Sequence, residues 1–94
     1  MSRNKSSKIS DFAHFLNSLK NDSEIIDFMT EILTEAELET LSKRWQIVNL
    51  LKEGNTQRDI AEKLQVSLCK VTRGSKILKN KNSVITKYLT KKKQ

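Results

Sequence analysis

The sequence predicts an all-α fold of six helices, and three observations carry that reading. The 94 residues contain no proline and only two glycines, the residue types that most often break helices. β-Branched runs are few. Apolar residues recur at intervals near 3.6 along almost the whole chain. Only 36% of residues are apolar, a fraction low enough for disorder, but their periodicity marks a folded chain whose core a partner completes. At 10.9 kDa the chain is one small domain, residues 1–94, too short for a two-domain enzyme enclosing a large substrate.

Each helix has its own signals. Ile9, Phe12, Leu16 and Leu19 stripe a first helix, capped by Ser7 or Ser10. Asn21-Asp22-Ser23 interrupts it, and Ile25, Phe28, Met29 and Ile32 mark a second. Thr34-Glu35-Ala36-Glu37 is a capping-box pattern: the threonine oxygen accepts an early backbone N–H and Glu37 reaches back. Acids after Thr34 suit the positive end of a helix dipole. The third helix carries Leu38, Leu41, Trp45, Val48 and Leu51, and stops at Gly54, where a left-handed residue is easiest. Thr56 starts a short fourth helix with Asp59 in the capping position, and Ser67 starts a fifth. Asn82 or Ser83 starts a sixth, bearing Val84, Ile85, Tyr88 and Leu89. Trp45 and Tyr88 are expected in the core, and His14, without ligand-spaced neighbours, on a solvated helix face. Six apolar stripes are many for so small a core, so homodimerisation through the N-terminal helices is expected.

The formal charge of +7 is unevenly placed. Residues 21–41 hold seven acids and no Lys or Arg, whereas the chain from Lys43 onward sums to +11. A basic half beside an acidic block suits a protein that faces phosphates on one side; a solvated surface is the plainer alternative. The terminal run, residues 90–94, reads as a basic tail with non-specific attraction for polyanions. The lone Cys69 makes no internal disulfide and no zinc site by itself. Met1 to Ser7 is polar and no long apolar run follows, so neither a signal peptide nor a membrane span is expected. The expected setting is a reducing cytoplasm, with no metal and no membrane partner.

Residues 56–76 have the pattern of a helix-turn-helix. Ile60 and Leu64 face the core, Ala61 is small where the second helix crosses, Val66 plugs the turn, Ser67 caps the next helix and Val71 returns to the core. Gln57, Arg58, Lys63, Lys70, Thr72, Arg73, Lys76 and Lys79 are the exposed remainder, basic or hydrogen-bonding. The second helix would lie in the major groove and the first would cross the phosphates. Gln65 stands where the turn usually has glycine, at a cost of ~1 kcal/mol if held at positive φ. A plain helical hairpin without DNA contact is the competing reading.

Leu33-Thr34, Gln57-Arg58 and Thr72-Arg73-Gly74-Ser75 together resemble the tryptophan repressor family and its shorter relatives, over about Ile32 to Lys79. The Thr-Arg-Gly-Ser run is the most specific, because glycine inside a recognition helix costs ~1 kcal/mol and needs a reason. The resemblance implies a six-helix intertwined homodimer with a helix-turn-helix reading head at 56–79. It further implies a DNA-binding transcriptional repressor, with L-tryptophan as corepressor, acting on a palindromic operator of tryptophan biosynthesis or transport genes. Arg73 would pair with the ligand's carboxylate and cover one indole face, Arg44 would cover the other, and Thr34 would add a hydroxyl. Carbonyls near Glu31 and Leu33, across the dimer, would receive the ammonium. Gly74 and Ile77 complete the implied pocket. Ile77 stands where enteric members carry a serine, and the stretch before the Thr-Arg-Gly-Ser run is one residue shorter. The position of that gap decides whether Arg44 faces the pocket, since one residue turns a helix by about 100°. Without the resemblance, Arg44 and Arg73 read as a surface ion-pair former and a phosphate contact.

On the DNA side the resemblance implies phosphate contacts from Gln57 and Arg58, with Leu68, Cys69 and Thr72 near base edges. Lys70 adds a phosphate or guanine contact, and Ser67, Lys76 and Lys79 complete the face. Cys69 has an alternative reading as a redox sensor at a helix N-terminus. No catalytic constellation is legible, so an enzyme is not expected. The competing classes are a helix-turn-helix protein with another ligand or none, the targeting module of a transposase, and a helical adaptor.

Overall fold

The computed structural model describes residues 7–92. The polar N-terminal residues before Ser7 and the last two residues of the basic tail lie outside that range. Six helices follow in order: α1 (Ser7–Ser18), α2 (Asp22–Ile32), α3 (Glu35–Lys52), α4 (Gln57–Leu64), α5 (Leu68–Lys79) and α6 (Val84–Lys92), with no strand among the described residues. The fold is all-α, as the periodicity requires. By contacts the chain divides into two compact units, Met1–Leu38 and Glu39–Gln94, with α3 running through the division.

In the first unit, α1 and α2 meet through aromatic rings. Phe28 lies 5.7 Å from Phe12 and 5.0 Å from Phe15 between ring centroids, both pairs tilted, the arrangement favoured by ring quadrupoles. Phe15 was not part of the expected stripe. Ser10 lies inside α1, which leaves it no capping role. Asn21 caps α2: its Oδ1 accepts the Glu24 N–H at 2.9 Å, while Glu24 Oε1 accepts the Lys20 N–H. No residue of α1 or α2 is buried, although both carry apolar stripes. The capping box at Thr34 forms in both directions. Thr34 N–H donates to Glu37 Oε1 at 2.9 Å and Glu37 N–H donates to Thr34 Oγ1 at 3.1 Å.

The second unit holds the core, where Ile47, Ile60 and Val71 are almost fully enclosed and Leu50, Leu51, Ala61, Leu64 and Val66 pack around them. Val48 and Leu89 are buried too. Helix α3 ends at Gly54, whose φ is +102°. Gly54 N–H donates to Leu51 O and Asn55 N–H to Leu50 O, the paired bonds of a Schellman motif that satisfy the last carbonyls. Thr56 Oγ1 accepts the Asp59 N–H, and Ser67 Oγ accepts the Lys70 N–H. Between those helices Gln65 takes the left-handed conformation at φ 56°. Ser83, rather than Asn82, caps α6 by accepting the Thr86 N–H.

Trp45 and Tyr88 are not in the core. They are 43% and 52% exposed and lie 6.1 Å apart, against each other. Instead α3 buries Val48, inside the expected stripe, and Ile47, outside it, each at 2% exposure. Ile47 lies about 200° around the helix from Trp45, so α3 has two apolar faces and this unit buries the one opposite Trp45.

Candidate functional site

One face of α5 and one face of α3 bound a cleft. On α5, Lys70, Arg73, Gly74 and Ile77 are spaced i, i+3, i+4, i+7; on α3, Arg44, Ile47 and Val48 are spaced i, i+3, i+4. Both spacings put their members on a single helix face. These seven residues line a solvent-open cleft. Its floor is apolar (Ile47, Val48, Gly74) and three cations, Arg44, Lys70 and Arg73, stand around it without a carboxylate among the lining residues. Arg44 therefore lines the same cleft as Arg73.

Gly74 is buried in α5. A Cβ built on it would lie 2.7 Å from Ile47 Cγ2, with Leu51 Cδ1 and Val48 Cγ1 at 3.4 and 3.5 Å. Glycine is thus required by the close crossing of α5 over α3, a reason independent of any ligand. This contact also brings Arg44 and Arg73 close enough to share one cleft.

The other side of α5 carries a second, more open groove lined by Leu68, Cys69, Thr72, Arg73 and Lys76. It begins at the Ser67 cap, and all five side chains are exposed. Arg73 borders both the cleft and this groove. Arg58, Ser67, Lys70 and Lys79 are also exposed. Gln57 departs from expectation, being half-buried. Its Oε1 lies 3.0 Å from Thr72 Oγ1, which is also 3.0 Å from Leu68 O. The threonine has one hydroxyl hydrogen and serves one acceptor at a time. Sequence spacing gave no sign of this bond across fifteen positions, because it depends on how α4 crosses α5.

Glu31, Leu33 and Thr34 belong to the first unit. Glu31 is exposed on α2, Leu33 is its half-buried C-cap with its N–H donating to Met29 O, and Thr34 is occupied in the capping box. His14 is exposed on α1. Among the described residues no group of His, Cys, Asp or Glu is arranged to hold a metal ion, and no helix is long and apolar enough to cross a membrane.

A family model described as Trp repressor protein matches residues 7–93. Among curated relatives, a Trp operon repressor homolog of Chlamydia caviae is 41% identical over 70 residues, covering 73% of this chain and 69% of that protein. One from Xylella fastidiosa strain M23 is 47% identical over 62 residues, 65% of this chain and 65% of that protein. One from Chlamydia trachomatis serovar L2 is 32% identical over 81 residues, 85% of this chain and 86% of that protein. No solved structure gives a significant match. With six helices in place and every described residue inside the matched span, the chain belongs to the Trp repressor family, a family of DNA-binding transcriptional regulators.

Proposed function

We propose that this protein is a homodimeric, cytoplasmic repressor of transcription gated by L-tryptophan, acting on a palindromic operator of tryptophan biosynthesis or transport genes. The observation that carries this reading is Arg73, which borders both the α3–α5 cleft and the exposed groove of α5. The lining of the cleft suits the ligand. Ile47, Val48, Gly74 and Ile77 offer an apolar bed for an indole ring, and the guanidinium planes of Arg44 and Arg73 suit stacking on its faces and pairing with its carboxylate. Thr34, with backbone carbonyls near Glu31 and Leu33 of the other protomer, would receive the ligand's remaining polar atoms. Ile77 supplies no hydrogen bond to the ammonium, so those carbonyls carry that task.

The DNA side follows from α4 and α5. Leu68, Cys69 and Thr72 stand in the first turns of α5, where a recognition helix meets base edges. Gln57, Arg58, Ser67, Lys70, Lys76 and Lys79 surround them as phosphate contacts, which fix register without reading sequence. A ligand that orders Arg73 favours the DNA-competent arrangement, and by linkage DNA raises ligand affinity by the same factor.

Isothermal titration of tryptophan and indole analogues, with and without an inverted-repeat duplex, tests the whole scheme. The expected result is heat for tryptophan and a reciprocal gain in affinity with the duplex. Intact duplex binding without heat for tryptophan removes the corepressor and leaves a constitutive DNA-binding protein. Absence of duplex binding removes the repressor.

A further inference from the structure

We propose that α6 and the turn before it form a second contact surface for the phosphate backbone of duplex DNA, in addition to the α4–α5 reading head. No acid follows Glu62 in the chain, while ten Lys and Arg do. Three of them gather at one place. Lys81, Lys87 and Lys91 line a single open groove with Thr86 and Thr90. Lys87 and Lys91 are spaced i, i+4, so α6 presents both cations on one face. All three lysines are exposed, and none has a carboxylate partner within the described residues, in contrast to Lys43, which pairs with Glu39 at 3.6 Å.

The groove is built on ordered backbone. The Thr86 hydroxyl donates to Ile77 O at 2.9 Å and ties α6 to α5, Leu89 is buried, and Ser83 caps the helix. Lys81 is held in a turn where the Asn82 N–H donates to Asn80 Oδ1 and the Ser83 N–H to Asn80 O. The chemistry of the lining selects the partner. Lysines are compact point charges suited to phosphate oxygens. The groove has neither the aromatic rings that stack on unpaired bases nor the side-chain amides and guanidinium groups that read base edges. Its lining also lacks the large apolar side chains that a lipid surface would bury, the exposed Val84 and Tyr88 of α6 standing outside it. A duplex backbone, bound irrespective of sequence, fits what remains.

The test uses the full chain and a duplex with no inverted repeat, with anisotropy titrations between about 50 and 200 mM salt. The variant Lys81→Gln/Lys87→Gln/Lys91→Gln is compared with Lys20→Gln/Lys43→Gln/Lys52→Gln, which removes the same net charge elsewhere. The expected result is a salt exponent lower by roughly 2–3 for the α6 variant, at ~0.9 per phosphate contact, with little change in the control variant. Equal losses in both variants would show a net-charge effect and overturn the proposal, as would an unchanged exponent. The same proteins are mixed with phosphatidylserine vesicles. Loss of vesicle binding alone in the α6 variant assigns the surface to membranes and also overturns it. Absence of duplex binding by the unmodified chain overturns both this surface and the repressor, whereas unchanged binding by the α6 variant overturns this surface alone. Circular dichroism confirms that each variant is folded.

Discussion

Gly74 sits where α5 crosses α3, with Ile47 Cγ2 2.7 Å from the place a methyl group would occupy. That carbon branches directly from the Ile47 Cβ, and Ile47 is 2% exposed, so it cannot swing away as a flexible chain end would. Gly74→Ala gains ~1 kcal/mol of helix propensity but overpacks the crossing by roughly 1–3 kcal/mol. A lowered midpoint of urea unfolding is expected. Ile47→Ala alone opens a cavity and costs about 2–5 kcal/mol. Combined, the two changes should cost less than their sum, because one makes the room that the other needs; strict additivity would refute the contact. The Thr-Arg-Gly-Ser run made this glycine conspicuous in the sequence. The resemblance placed it in the implied pocket, and the crossing adds a packing reason. Gln65 was legible by the same logic, since a turn position that prefers glycine holds its residue at positive φ whatever its side chain.

At the scale of the element, α4 and α5 are held by local rules. Thr56 and Ser67 cap them, Ile60 and Val71 anchor them, and their polar faces remain outside. Arg58 is on α4 away from the cleft lining, whereas Arg73 is on both of the α5 surfaces. Arg58→Ala should therefore weaken duplex binding and leave tryptophan binding in place, measured by titration of each. Arg73→Ala should weaken both, and equal effects of the two changes on tryptophan would contradict the assignment. Caps and turn were legible because they depend on residues within four positions of one another. Helix α3 was harder. Leu41 and Trp45 suggest one apolar face and Ile47, Leu50 and Leu51 another, and periodicity alone does not say which face a neighbour covers. The Gln57–Thr72 bond was invisible for the same reason, as it spans two helices whose crossing had to be known first.

For the molecule as a whole, the two units differ in how completely they bury their apolar residues. The second has an enclosed core, while in the first Phe12, Phe15, Ile26 and Ile32 remain 44%, 45%, 57% and 58% exposed. Such side chains are what a second copy of the chain would cover. Sedimentation equilibrium should find a dimer at micromolar concentration. Ile26→Asp should weaken it markedly, since burying an unpaired carboxylate at the interface is strongly unfavourable; a monomeric parent chain would contradict the dimer. The uneven charge follows the same division. The acids of residues 21–41 fall mostly in the first unit, and the acid-free basic run lies in the second.

Much of this protein was determined by sequence alone, wherever the physics is local. Helical periodicity, the hydroxyl caps, the glycine stop at residue 54 and the left-handed turn at Gln65 each depend on a few neighbouring residues. The charge division depends only on counting. Tertiary structure decided which α3 face is buried, why Gly74 has no side chain, that Arg44 and Arg73 border one cleft, and that Gln57 bonds to Thr72. Each of those outcomes depends on the distance and angle at which two helices cross, quantities set by the summed packing of many side chains and encoded in no single stretch of the chain.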